Sequence, residues 1–318
     1  MSTINPVAIR KASFPACRIA PICLNPITHH SPIFSGKQKL IFDPKAQALA
    51  NMRARRRQAR TSSSFLLIRA AEDAASRISD IARKFPRACL IGPFDARPSI
   101  LKALAADKHP ALFDYAPSAE RLDGEYDLII SLLNLQSDEA LPQTLIKFRN
   151  HLQPDGLFLG ALFGGNSLTE LRQTLYAVDQ DLLGGAAARI IPMVDYSQCA
   201  ALLNHAALAL PVIDTDRFTV SYRNFQTLIS DLRDLGLSNT LTARTKRPLP
   251  KIYPSQAANS YSAHFSRPDG KLQCQFEILW MCGWAPHDSQ QKPLKPGSAK
   301  MRLGDALGAV EHKLTRGP

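Results

Sequence analysis

Three observations predict a doubly wound α/β fold with a mostly parallel sheet. Strand-like and helix-like patterns alternate from residue 87 to 183. Tyr126–Leu133 is a near-continuous apolar run, as expected of a strand covered on both faces. Ala88–Ile91 is a short apolar run that stops at Gly92-Pro93 and leads into a helical pattern, the start of a βα unit.

The elements follow in order. Gln47–Arg60 reads as a basic helix. Ser62–Lys84 reads as a second helix, with Leu66, Leu67, Ala70, Ala74, Ile78 and Ile81 at helical spacing and Ser62, Ser63 and Ser64 as N-cap candidates. After the first strand, Pro98–Ala106 is a helix carrying Ile100, Leu101 and Leu104 on one face. Ala111–Tyr115 is a short second strand ending in an acid, Asp114. Asp138–Leu152 is a helix, Pro154-Asp-Gly156 a turn and Leu157–Phe163 the next strand. Ser167–Leu183 is a helix, and Ser167 with Glu170 resembles a capping box. Ser197–Ala207 is a further helix. Pro211–Asp216 and Phe218–Tyr222 read as strands. Phe225–Leu235 is a helix capped by Gly236, and Gln273–Trp280 is the last strand. Ligands of such sheets bind at the carboxyl ends of the strands.

The 318 residues divide into a basic extension (1–39), N-terminal helices (40–85), the sheet domain (86–285) and a polar tail (286–318). An apolar content of 45% is ample for a core, and the formal net charge is +12. The excess is uneven. Residues 1–42 hold five Lys/Arg and no acid, and residues 44–60 add six more basic residues. The remaining body is close to neutral, which argues against a nucleic-acid-binding domain. Arg53–Arg60 is a solvated face or a dock for an acidic protein or anionic lipid.

The six cysteines form no CxxC pair, and Cys89, Cys274 and Cys282 sit in apolar runs. This favours a reducing compartment over zinc or a disulfide framework. The longest apolar stretches, Leu128–Leu135 and Gly156–Gly165, fall short of the ~20 residues of a membrane span. Residues 1–39 read either as a transit peptide, which implies a mitochondrial matrix protein, or as a disordered or unused leader of a bacterial cytoplasmic one. Five prolines disfavour the amphipathic transit helix and favour the second reading. No metal-ligand cluster and no nucleophile–base signature stands out. Asp127 reads as a structural cap, and His287 and Asp288 beside Trp284 as a loop closing the last strand.

Several phrases carry a family resemblance. Asp127-Leu-Ile-Ile-Ser131 and Leu152-Gln-Pro-Asp-Gly-Leu-Phe-Leu-Gly160 resemble class I S-adenosylmethionine-dependent methyltransferases. More specific are Gly164-Gly-Asn-Ser-Leu-Thr-Glu-Leu-Arg172, Asp231-Leu-Arg-Asp-Leu-Gly236-Leu-Ser-Asn239 and Phe276-Glu-Ile-Leu-Trp-Met-Cys-Gly-Trp-Ala-Pro-His287, with Ser289–Lys300 and Ile41-Phe-Asp43. These resemble bacterial relatives of mitochondrial complex I assembly factor 5, a group similar to the malonyl-carrier-protein methyltransferase of biotin synthesis.

The resemblance implies a Rossmann-like, seven-stranded methyltransferase sheet and S-adenosylmethionine as cofactor. It implies a complex I subunit as partner, modified by arginine hydroxylation or methylation. Other readings are a non-catalytic assembly chaperone and a carrier-protein or small-molecule methyltransferase. The implied cofactor contacts are Gly92, Pro93 and Phe94 in the first loop, Asp114 and Tyr115 on the second strand, Glu120, and Leu132 and Asn134 after the next strand. The sequence departs from the family pattern here. Leu90 replaces the first strand's acid, Gly92 alone remains of the loop glycines, and Asn134-Leu-Gln136 stands where a His-Trp pair is common.

Overall fold

The computed structural model describes residues 40–61 and 64–291. Two helices come first, α1 (Pro44–Thr61) and α2 (Phe65–Ser79). α2 buries Leu66, Leu67, Ala70, Ala74 and Ile78, as their spacing requires. Ser64 precedes α2, but its hydroxyl has no partner among the described residues; Ser62 and Ser63 lie outside them, as do the extension expected over 1–39 and the tail from 292 to 318.

The sheet has six strands in the order β2-β1-β3-β4-β6-β5. β1 (Arg87–Ile91), β2 (Leu112–Ala116), β3 (Tyr126–Leu132) and β4 (Leu152–Phe163) run parallel. β6 (Leu272–Trp284) pairs antiparallel with both β4 and β5 (Ala209–Tyr222). Among the described residues there are six strands, against the seven implied by the resemblance. No strand lies beyond β2 among the described residues. A parallel neighbour there needs a crossover of a dozen or more residues, but the link from Ala116 to Tyr126 is shorter and forms only the turn Ala119–Arg121.

Side-chain alternation splits the core between the two faces of the sheet. Leu90, Leu128, Ile130 and Leu159 join the cluster under α2, α3 (Arg97–Ala103), α5 (Thr169–Leu183), α7 (Phe225–Asp234) and α8 (Tyr253–Phe265). Cys89, Ile91, Ile129 and Phe158 face α4 (Leu141–Asn150) and α6 (Tyr196–His205). The β3 run is buried on both faces, as its apolar continuity predicts.

Several local expectations are corrected. Pro154–Gly156 lies inside β4 as an irregularity, with Asp155 at φ +62° and a register shift opposite Tyr126–Leu128. The two strands expected over 211–222 are one, because β6 pairs with them through Arg217 without a break. Ser167 and Glu170 form no capping box. Leu168 precedes α5 in a left-handed conformation, Ser167 Oγ donates to Glu277 O, and the Glu170 carboxylate accepts from Gln275 N. Asp195 and Gln198 instead box the start of α6. α8 has no counterpart in the sequence reading.

Candidate cofactor cavity

β1 sends the chain to β2 on one side and lies against β3 on the other, so the strand order reverses between β1 and β3. A crevice of this kind is where open α/β sheets bind ligands. A cavity of about 510 Å³ sits there, lined by Ile91, Pro93, Pro117 and Leu133 just at or past the carboxyl ends of β1, β2 and β3. α1 roofs it through Pro44, Gln47, Ala48 and Asn51. The roof is tied down at its start. Ile41 N and Phe42 N donate to the Glu139 carboxylate at 2.9–3.0 Å, and Gln47 Nε2 donates to Ser137 O at 2.7 Å.

The first loop is closed on itself. Gly92 has φ +146°, and a Cβ there would stand 3.2 Å from the Asn134 side chain, so only glycine fits this turn. Its N–H donates to Ala116 O, and Pro93 has no N–H to give. Arg55 of α1 donates to Pro93 O at 2.6 Å, and the Tyr115 hydroxyl donates to Gly92 O at 2.9 Å. Burial raises the Tyr115 pKa, so its hydroxyl stays a donor. Burial works against the Asp95 carboxylate, but bonds from Arg97 outweigh it and hold its pKa below the usual range. Phe94 turns away into the core.

Of the residues the resemblance implies, Pro93, Glu120 and Asn134 line the cavity, and Gly92 packs against Asn134. Glu120 sits at the rim with its carboxylate 3.3 Å from Lys147. Leu132 is a core residue; its neighbour Leu133 lines the cavity instead. Asp114 does not end its strand. It stands opposite Cys89 in the middle of β2, and its carboxylate lies 3.2 Å from Arg87 Nη2. Arg87 in turn stacks on Tyr126 at 4.8 Å. Asp114 is thus committed to the lower part of the sheet.

Sequence reasoning missed Gln136. Leu133 takes a left-handed φ of +52°, which folds the following residues inward. Gln136 Nε2 donates to Leu133 O at 2.7 Å, while its Oε1 is buried with no partner among the described residues. Ser131 Oγ donates to Asn134 Oδ1 at 2.6 Å and orients that side chain. An orphaned buried acceptor beside a cavity of this size fits the amino and hydroxyl groups of an adenosyl ligand. The ribose carboxylate expected from the second strand is absent from the lining.

Elsewhere the chemistry is structural. Burial pushes the Cys89 thiol up to about 11 and Cys199 to about 12, so neither is a ready nucleophile. Asp127 accepts from Arg87 N at 2.9 Å, as a cap. His287 bonds Ser289 beyond the end of β6, at the amino ends of the parallel strands and away from the cavity. No helix among the described residues is long and apolar enough to cross a membrane.

No protein-family model matches the chain. Arginine-hydroxylase NDUFAF5, mitochondrial, of Danio rerio is 32% identical over 254 residues, covering 73% of this chain and 78% of that protein. The chain belongs to the NDUFAF5 family. The Dictyostelium discoideum NDUFAF5 is also 32% identical, over 58% of this chain but only 43% of its own length. The malonyl-[acyl-carrier protein] O-methyltransferase of Xylella fastidiosa is 32% identical over 64% of this chain and 68% of that protein. This NDUFAF5-family chain therefore has homologues among the class I methyltransferases. Among solved structures, the YcgJ protein of Bacillus subtilis aligns at 12% identity and a TM-score of 0.41, over 68% of this chain and 98% of that one. The zebrafish match is too long to be confined to the sheet between Arg87 and Trp284; it takes in flanking helices or tail as well.

Proposed function

We propose that this chain modifies an arginine of a respiratory complex I subunit during assembly, with S-adenosylmethionine in the cavity between β1 and β3. The observation that carries this reading is the NDUFAF5 match, which extends past the nucleotide-binding core. The cavity supports it by position, by size and by the unsatisfied Gln136 Oε1. When bound, S-adenosylmethionine supplies a methyl group already activated at a sulfonium, so the protein's task is alignment more than acid–base chemistry. Gln136 accepts a hydrogen bond from the nucleoside, Asn134 lies against the first loop, and α1 excludes water from above.

Deletion of the gene tests this reading. Mass analysis of complex I subunits from the wild-type strain is expected to show an arginine heavier by one methylene, or by one oxygen where dioxygen and a two-electron reductant serve as co-substrates, and the deletion strain to lack that species. Identical subunit masses in both strains would overturn it.

A second reading, a non-catalytic assembly protein, is favoured by two observations. Asp114 is held by Arg87, and the Gly92-Pro93 turn offers no free N–H. In that case complex I is lost on deletion although no subunit changes mass.

A further inference from the structure

α1 carries a second, separate wall. Its residues Ala50, Arg53, Arg56 and Arg57 face Arg233 and Ser238 of the α7 end across a cavity of about 550 Å³. Arg57 is neutralised, since its guanidinium lies 2.5 Å from the Asp234 carboxylate and also bonds Ser230. Arg53, Arg56 and Arg233 have no side-chain partner among the described residues. Of the nearby acids, Asp234 is held by Arg57 and Asp43 by Arg244 at 2.8 Å, while burial raises the pKa of Asp231 on α7. Three guanidinium groups around one hollow, none paired among the described residues, set up a local positive potential.

An apolar chamber lies beside this hollow, across Arg233 and Ser238. A cavity of about 350 Å³ shares Arg233 and Ser238 with it and is walled by Leu171, Leu175, Ile191, Met193 and Ile229. Such a volume is within the ~300–1,000 Å³ of small-molecule sites. No bare acid faces the chamber from the α5 side. Asp179 is fully buried, bonded by Arg189 at 2.7 Å and by the Tyr253 hydroxyl at 2.7 Å. The chamber is distinct from the cofactor cavity, which is lined by Leu235 and Gly236 just past α7.

We infer that this paired hollow binds a single-chain amphiphilic anion, an alkyl or acyl chain ending in a phosphate or carboxylate. The chain lies in the apolar chamber and the headgroup on Arg53, Arg56 and Arg233, whose planar forks bond such oxyanions two at a time. This goes beyond the arginine modification proposed above and does not depend on it.

The test is calorimetric titration of the full chain with dodecyl phosphate below its micelle concentration. Parallel arms use inorganic phosphate and phosphatidylcholine vesicles with and without phosphatidylglycerol. Dodecyl phosphate is expected to bind at least about tenfold tighter than inorganic phosphate, about 1.4 kcal/mol. Combined Arg53→Gln, Arg56→Gln and Arg233→Gln is expected to weaken dodecyl phosphate about tenfold or more. Leu249→Glu, at a position 41% exposed on the chamber wall, is expected to do the same with no change in thermal midpoint. Equal affinity for dodecyl phosphate and inorganic phosphate would overturn the proposal, as would indifference to either variant. Arginine-dependent binding to the anionic vesicles alone would also overturn it, making the wall a membrane contact instead.

Discussion

Glu277 Oε2 stands where a side chain on Gly164 would begin: a Cβ there would lie 2.4 Å from it. The glycine-rich turn after β4 exists to admit that carboxylate. Glu277 accepts from Asn166 Nδ2 at 2.9 Å, Asn166 N at 3.2 Å and Arg217 Nε at 2.7 Å, while Ser167 Oγ bonds its backbone. The two most specific phrases of the sequence, Gly164–Arg172 and Phe276–His287, are thus one packed unit. Gly164→Ala is expected to lower stability by about 2 kcal/mol or more, a cost typical of displacing a buried, bonded charge. Thermal unfolding measures it, and an unchanged midpoint would count against the close fit.

Glu277 and Asp179 set the acid limit of the fold. Burial alone would raise both pKa values. At Glu277 the bonds from Asn166 and Arg217 outweigh it, and at Asp179 those from Arg189 and Tyr253 do, so both end below their ordinary values. A carboxyl lowered on folding contributes stability above its unfolded pKa, about 4 for these groups, and that contribution is lost as pH falls through the lower folded value. Stability is therefore expected to hold above about pH 5 and to fall steeply below 4. Chemical denaturation across this range is expected to show a shallower acid slope for Asp179→Asn than for the wild type. Equal slopes would contradict the assignment.

Asp114→Ala is expected to leave nucleoside binding within about twofold of wild type. The lost contact is a half-exposed ion pair with Arg87, worth only about 0–1 kcal/mol. Loss of ligand binding in this variant, with the fold intact, would restore Asp114 to the cofactor site.

Gly92→Ala combines a φ of +146° with a contact 3.2 Å from Asn134. It is expected to cost about 1–3 kcal/mol and to disturb the cavity wall at Asn134. A crystal structure of the variant with Asn134 unmoved and stability unchanged would contradict this.

Much of the architecture was legible because apolar periodicity reports burial directly. Tyr126–Leu132, buried on both faces, and the α2 stripe are examples. What pattern could not carry was partnership. α8 buries only Tyr253, Ala257 and Tyr261, spaced by four, and two tyrosines and an alanine make a faint apolar signal. β5 looked like two strands because Arg217 interrupts the apolar alternation, yet Arg217 reaches across to Glu277. The site was half legible. Gly92 and Asn134 meet, as a loop at the carboxyl ends of β1 and β3 requires. Asp114 was misplaced because β2 runs two residues further, to Ala116. Gln136 was invisible because its burial depends on the left-handed turn at Leu133, which no local preference of leucine announces.

The most direct test of the account is calorimetric titration of the full chain and of Gln136→Leu with S-adenosylmethionine and S-adenosylhomocysteine. Gln136→Leu removes the orphaned acceptor, together with the bond from Nε2 to Leu133 O, and places an apolar side chain of similar size in the wall. Micromolar binding by the wild type, weakened about tenfold or more in the variant as expected for a lost buried hydrogen bond, is the predicted result. No binding at millimolar ligand by a folded wild-type chain would contradict it and leave an assembly protein whose cavity holds no such cofactor.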